Sequence, residues 1–466
     1  MPTQFDPPSG TRDFLAAEVE KRERAFAVIR SVFSRYGFEP LQTPAFERLD
    51  VLLGKYGEEG DKLIFKILRR GEHEASGEAD LALRYDMTVP LARVASAYGS
   101  QLPTPYKRYA MGPVWRADRP GRGRFREFVQ CDLDTLGTTS VLADAEVICA
   151  VHDTLAELGV PGFRFLLNSR HVLAGLLEAF GVPGGLGPGV LITLDKLDKL
   201  SPAEVAAELT ERGLASGTAE DLVSAMTAPD ADARIRAALK PSEEGAAGLD
   251  EVDEVLSLVR AQIPADRIEF TPRMVRGLSY YTGPIWEVVA DGVPGSISSG
   301  GRYDHLIEQL GGPDVPGTGG SLGIERILLL LPDEVRAGRP GRLDVAVTIL
   351  GAEFAPRGFA FAAGARRAGL RSSVYMGSSG KLGRQLKWAS DQGARWALIY
   401  GRQEEEAGVV TVRDMDSGAQ AVVPVSELPG YLAGQAAAAG AQDSAPRDSA
   451  SRDSAPRDSA AGDTAG

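Results

Sequence analysis

Cysteine is nearly absent from this chain of 466 residues: Cys131 and Cys149 are too few for a disulfide framework or a four-thiolate zinc site. Histidine is almost as scarce, and His73, His152, His171 and His305 show no ligand spacing, so no structural metal is expected. Long apolar runs are missing as well. No stretch reaches the roughly 18 residues of a membrane span, and the opening MPTQFDPPSGTRDF has no basic region followed by an apolar one. These absences predict a cytoplasmic chain without membrane or secretory segments. Positive charge is outnumbered, with 51 Lys and Arg against 64 Asp and Glu and a net charge of −13, which argues against indiscriminate nucleic-acid binding but permits a local basic patch. What is abundant, 43% hydrophobic and 25% charged residues, describes a soluble globular protein with length for roughly three domains.

A basic patch does occur, in residues 111–134, MGPVWRADRPGRGRFREFVQCDLD. Arg116, Arg119, Arg122, Arg124 and Arg126 crowd around one early acid, Asp118, and like charge at that density needs an anionic partner. The stretch reads as two strands joined by a Pro/Gly loop. From Arg124 onward, the period of two places Arg124, Arg126, Phe128, Gln130, Asp132 and Asp134 on one face and Phe125, Val129, Cys131 and Leu133 on the other. One face is apolar. The other runs from arginine past a ring and an amide to carboxylate, a gradient suited to a ligand with phosphates at one end and a cation at the other. A half-solvated antiparallel strand with mixed charges fits the same alternation.

Around it, Phe26, Ile29, Phe33 and Tyr36 give residues 16–36 helical spacing, stopped by Gly37. Phe38 to Phe46 reads as extended, confined by Pro40 and Pro44 to an edge or an interface. LALRYDMTVPLARVASAYG joins a strand ending near Asp86 to a helix with Thr88 as its N-cap. Helices are predicted over 141–158 and after the strand-like 163–167. Residues 186–262, rich in Ala, Glu, Leu and Lys, read as a helical insertion opened by a flexible GGLGPG connection, with Ser201-Pro-Ala-Glu204 as a capping box. Three later segments pair glycine with arginine: Arg276 with Gly277, Gly300-Gly301 with Arg302, and Gly323 with Arg326, suggesting one large pocket. RAGRPGR at 336–342 marks a boundary, beyond which strands and helices alternate and end in a hairpin at Asp416-Ser417-Gly418, as in a separate α/β domain. The expected domains are 1–332, 342–430 and a low-complexity disordered tail, 431–466.

Gly-Pro-Val-Trp-Arg116 through Asp134 resembles motif 2 of class II aminoacyl-tRNA synthetases, and RGLSYYTG (276–283) with GGRYD (300–304) resembles the signatures of the histidyl-tRNA synthetase family; GIERILLLL (323–331) is of the class type. The likeness runs from Pro8-Ser-Gly-Thr-Arg-Asp13 to about Leu428. It implies an α+β catalytic domain with an antiparallel sheet flanked by helices, a helical insertion facing tRNA, and a C-terminal α/β anticodon-binding domain. It also implies a homodimer built partly around Pro44, histidine–tRNA ligase activity, and ATP with Mg2+ carried on it, with histidine and tRNA(His) as the other partners.

Position by position, the resemblance implies that Arg116 bridges the histidine carboxylate and the ATP α-phosphate, that Phe128 stacks on adenine, and that Asp86, Thr88 and Gln130 hold the α-ammonium. Asp134 and Tyr281, with Tyr280 nearby, would face the imidazole; Arg276 would meet the α-phosphate and Arg326 the γ-phosphate; Asp118 and Arg124 complete the ATP set. Asp86, Asp118 and Ser279 depart from the commonest bacterial form of these motifs. A non-ligase relative, the regulatory subunit of ATP phosphoribosyltransferase, resembles the same core. It would be expected to lack the arginine of RGLSYYTG and the C-terminal domain, whereas Arg276 and residues 344–428 are present here.

Overall fold

The strand anticipated in the second half of the arginine-rich stretch is central to the main sheet. In the computed structural model, which describes residues 5–55, 60–71, 76–275, 280–331 and 343–443, the chain divides into two compact units at Arg336/Ala337.

The strands of the first unit are β1 (Glu39–Pro40), β2 (Phe46–Arg48), β3 (Lys66–Leu68), β4 (Ala79–Leu83), β5 (Tyr106–Trp115) and β6 (Glu127–Leu136), then β7 (Arg164–Ser169), β8 (Ile268–Phe270), β9 (Pro284–Val289), β10 (Ser298–Arg302) and β11 (Gly317–Gly323). Eight form one sheet in the order β1-β5-β6-β11-β10-β9-β7-β8. It is antiparallel through its middle, but β1 on β5 and β8 on β7 pair in parallel, so the sheet is mixed at both edges. β1 carries Pro40 at the sheet edge, where a residue without an N–H costs no ladder bond. The expected helix forms as Ala16–Arg35 and packs with Val141–Glu157 over the apolar side of β6: Ile29, Phe33, Cys131, Leu133, Val147 and Ile148 share one core. β2, β4 and β3 make a small separate sheet.

The insertion is helical throughout its main elements, Gly187–Leu194, Pro202–Glu211, Ser216–Thr227, Ala231–Leu239 and Glu243–Arg260. The capping box is made as read, Ser201 Oγ accepting from the Glu204 N–H and Glu204 accepting from the Ser201 N–H at 2.8 Å. GGLGPG differs from expectation. It is a 3-10 turn, Gly184–Leu186, running directly into a helix with Pro188 in its first turn, where a missing N–H is tolerated.

In the second unit, β12 (Val345–Val347), β13 (Ser372–Val374), β14 (Trp396–Ile399), β15 (Val409–Asp414) and β16 (Gln420–Pro424) form a sheet ordered β13-β12-β14-β15-β16. Its first three strands are parallel and linked by the helices Ala355–Arg367 and Leu382–Asp391, the crossover arrangement expected from sequence. The β15–β16 hairpin turns where read, with Asp414 Oδ1 accepting from the Asp416 and Ser417 N–H groups and Gly418 at φ 75. The expected domain end at 430 falls inside a helix, Leu428–Asp443, in which Leu432 is buried and Tyr431 and Ala436 pack on the core. An alanine-rich composition hid this helix because its large apolar anchors, Leu428, Tyr431 and Leu432, all lie in its first turns and alanine dominates after them.

Candidate active site

Register explains how one face of β6 becomes a pocket. Residues opposite each other on antiparallel strands share a face. Gln130 is flanked by Gly112 on β5 and Gly323 on β11, Asp132 by Ala110 and Ser321, and Asp134 by Arg108 and Gly319. Apart from Arg108, the cross-strand neighbours of these polar side chains are small, and space opens above the sheet. At Gly319 the fit is close: an added Cβ would overlap the Asp134 carboxylate and lie 2.7 Å from the Leu133 carbonyl oxygen.

The resulting cavity, about 290 Å3, is lined by Asp86, Thr88, Arg116, Phe128, Gln130 and Asp134, with Tyr280, Tyr281 and Arg326 across from them. A second lobe, about 310 Å3, shares Arg116, Phe128 and Arg326 and adds Asp118, Arg124 and Phe125. Every site residue named from sequence lines one lobe or the other except Arg276, which lies outside the described residues together with Gly277 and Ser279.

The cavity has a chemical gradient. At one end, Arg326 Nη1 donates to the Ser296 carbonyl at 2.6 Å, while Arg116 donates from Nε to the Tyr85 carbonyl at 3.1 Å. The Arg116 guanidinium also lies 4.3 Å from the Tyr85 ring and 5.3 Å from that of Phe128, so it is held between rings and backbone with other N–H groups to offer. In the middle, Gln130 Nε2 donates to Ser321 Oγ at 2.9 Å, and Gln130 Oε1 and Asp132 Oδ1 are buried acceptors without a hydrogen-bond donor among the described residues. At the far end, Asp134 accepts from the Tyr303 hydroxyl and has Arg108 Nη2 2.8 Å from Oδ2. Burial pushes the Asp132 carboxyl up to about 7 against the opposing pull of Arg108. Burial likewise raises Asp134, opposed by Arg108 and the Tyr303 bond, and moves the Tyr280 and Tyr303 phenols far above their ordinary range.

Several expectations are corrected. The strand period does not extend back to Arg124, because β6 begins at Glu127. Phe125 is therefore not a core residue: it lines the second lobe, with the Arg12 guanidinium 3.5 Å from its ring. The five arginines also separate. Arg116 and Arg124 reach the lobes, Arg119 and Arg122 are exposed, and Arg126 donates to the carbonyls of Asp118 and Ser9. Asp118 pairs with Arg124 at 2.7 Å. Arg302 does not join the pocket; it is buried against Asp144 and the carbonyls of Thr138 and Ser140, and Gly300 is small because the Gly319 carbonyl and Trp286 lie against it. Thr88 is inside the helix Thr88–Tyr98 rather than capping it, and Asp86 Oδ1 accepts the Val89 N–H at 3.1 Å instead. Asp86 thus caps the helix and lines the cavity. The expectation of no structural metal is not among these corrections: His305, Glu308 and Asp314 bring ligand atoms within 4.8 Å of one another, but all three are exposed, as acidic groups commonly are without an ion.

Three contributors were passed over. Asp132 was visible on the strand face but received no role, and Tyr303 lay unused inside GGRYD. Arg108, on β5 opposite Asp134, could be found only through the strand pairing.

Comparison with known proteins places the fold and the family. The histidyl-tRNA synthetase family model matches residues 10–327, and an anticodon binding domain model matches 344–435. A histidine–tRNA ligase of Ruegeria pomeroyi is 39% identical over 445 residues, covering 89% of this chain and 90% of its own. One from Gloeobacter violaceus is 36% identical over 459 residues, covering 91% and 98%. The crystal structure of histidyl-tRNA synthetase from Nostoc sp. PCC 7120 superposes with a TM-score of 0.75 at 29% identity, over 93% of this chain and all of that one. An ATP phosphoribosyltransferase regulatory subunit/histidyl-tRNA synthetase from Bacillus halodurans gives a TM-score of 0.69 at 19% identity, over 84% and 97%, a likeness of fold. With the family model spanning the pocket-bearing unit and relatives matched over nearly their whole length, the chain belongs to the histidyl-tRNA synthetase family.

Proposed function

We propose that this protein is a histidine–tRNA ligase that activates histidine with ATP and transfers it to the 3′ end of tRNA(His). The observation that carries the reading is the gradient along the cavity, from guanidinium through a ring to acceptors without a donor among the described residues and then a carboxylate–phenol pair.

In the first step a histidine carboxylate oxygen attacks the α-phosphorus of ATP, and pyrophosphate leaves. Two anions must meet, and negative charge grows in the transition state. Arg116 and Arg326, already oriented by backbone carbonyls, would offset that charge without reorganising, and Arg276 would add a third guanidinium. Phe128 would stack on adenine, with Arg124, oriented by Asp118, reaching the phosphates. Gln130 Oε1 and Asp132 Oδ1 both need donors, and with Asp86 and Thr88 they suit the α-ammonium. Asp134, with Tyr281 and Tyr280 near, would receive the imidazole N–H, rejecting analogues without it by roughly 10⁴ to 10⁵. The carboxylates of the second lobe, Asp118 and Glu325, are both paired with arginine, which fits Mg2+ arriving on the nucleotide rather than in a protein cage.

The second unit would read the anticodon, and a homodimer formed in part around Pro44 and a cytoplasmic location complete the reading; among the described residues no helix is long and apolar enough to cross a membrane. Arg116 and Arg326 in the cavity, with the matched anticodon-domain region, favour the ligase over a regulatory paralogue. The test is ATP–pyrophosphate exchange with each of the twenty amino acids. Exchange with histidine alone supports the assignment, and none with histidine under conditions that support a known synthetase rejects it.

A further inference from the structure

Glu325, the residue before Arg326, is held by two arginines. Arg22, on the helix Ala16–Arg35, bonds both carboxylate oxygens at 2.9 Å and is buried. That bidentate pair is enough to neutralise the acid. Arg12, a third exposed at 34%, bonds the same carboxylate and lays its guanidinium 3.5 Å from the Phe125 ring. Arg12 therefore bridges the helix carrying Arg326 and the loop carrying Arg124.

The chain next to Arg12 grips that loop again. The Arg126 N–H donates to the Gly10 carbonyl at 2.8 Å, and Arg126 Nη1 donates to the Ser9 carbonyl at 3.3 Å. Gly10 has φ 84, and a Cβ there would stand 2.7 Å from Arg126 Cγ, so glycine is what allows the approach. Between the ends of β5 and β6 the loop is also tied by the Gly121–Arg124 pair, the Arg116 N–H to the Arg126 carbonyl at 2.9 Å, the bonds of Arg124 and Arg126 to Asp118, and the Ala117 N–H to the Leu63 carbonyl at 2.8 Å. Of all these ties, those from residues 9–12 are the ones that reach it from the N-terminal segment.

We propose that residues 9–12 form a strap that sets the motif 2 loop for ATP, with Arg12 as a positioning residue acting through Phe125 and Glu325. This rests on the ATP-dependent activation proposed above. The strap fixes the distance between the two arginine-bearing elements of the nucleotide lobe and leaves the histidine end untouched, since neither Arg12 nor Phe125 lines that lobe.

The full-length protein, Arg12→Ala, Phe125→Leu and the double variant would be compared by pyrophosphate exchange, thermal melting and hydrogen–deuterium exchange over residues 119–126. Arg12→Ala should raise the KM for ATP about five- to tenfold, as expected for losing one cation–ring and ion-pair contact. The KM for histidine and the melting temperature should hold, loop amides should exchange faster, and the double variant should be no worse than the poorer single one. Unchanged loop exchange in Arg12→Ala overturns the strap whatever the activity. So does an equal rise in both KM values with a fall in melting temperature, the mark of a merely structural role. If the unmodified protein shows no histidine-dependent exchange, the ligase reading fails instead, and loop exchange alone decides the strap.

Discussion

Nη2 of Arg108 stands 2.8 Å from Oδ2 of Asp134, with the two side chains 0% and 3% exposed. A carboxylate this enclosed keeps its charge only while its cation is present. Arg108→Met should therefore cost about 3–5 kcal/mol of stability or leave Asp134 protonated. Either outcome raises the KM for histidine while sparing that for ATP. Thermal denaturation with exchange kinetics in each substrate checks this, and a variant with unaltered histidine KM would show that Asp134 does not depend on Arg108.

Asp132 gives a pH dependence of defined sign. Its folded value, about 7, lies above the ordinary 3.8, so between these values the native state holds a proton that the unfolded chain has lost. Its contribution to stability is thus greatest at low pH, falls as pH rises across that window, and levels off above it. Binding runs the other way, because an ammonium group favours the ionised carboxylate. The KM for histidine should fall as pH rises from about 6 to about 8, and Asp132→Asn, compared with the unmodified protein at each pH, should lose that difference. Parallel profiles for the two proteins would remove Asp132 from the ammonium site.

The C-terminal helix sets where the chain can be shortened. Truncation after Gly430 removes Leu432, which is 1% exposed in the core of the second unit, and should destabilise that unit by about 2–5 kcal/mol. Truncation after Asp443 spares the helix and should leave aminoacylation and melting unchanged. Calorimetry of the two truncated proteins distinguishes them, and equal melting curves would show that the helix contributes nothing.

The alternation of β6 was legible in the sequence because a strand has a strict period of two: Phe128, Gln130, Asp132 and Asp134 face the cavity, and Cys131 and Leu133 face the core. The residue types Arg116 and Arg326 also announced their surroundings. What sequence did not carry was pairing across the fold. Arg108 meets Asp134 through strand register, Arg302 meets Asp144 on a helix 158 residues away, and Phe125 leaves the core because a turn ends the strand period before Glu127. Each depends on which segments become neighbours, and a local pattern does not specify that. The helix Leu428–Asp443 escaped notice for a different reason: alanine forms helices readily but looks like low complexity when few large side chains show which face is buried.

The bond between Arg12 and Glu325 closes 313 residues of chain. A ribosome adding about 5–20 residues per second needs some tens of seconds to deliver the second partner after the first. During synthesis Arg12 and Phe125 are already available while Glu325, the other residue that Arg12 holds, is not. β11, the strand that pairs with β6, ends at Gly323, just ahead of Glu325, so the middle of the main sheet and the nucleotide lobe are both among the last parts of their unit to assemble.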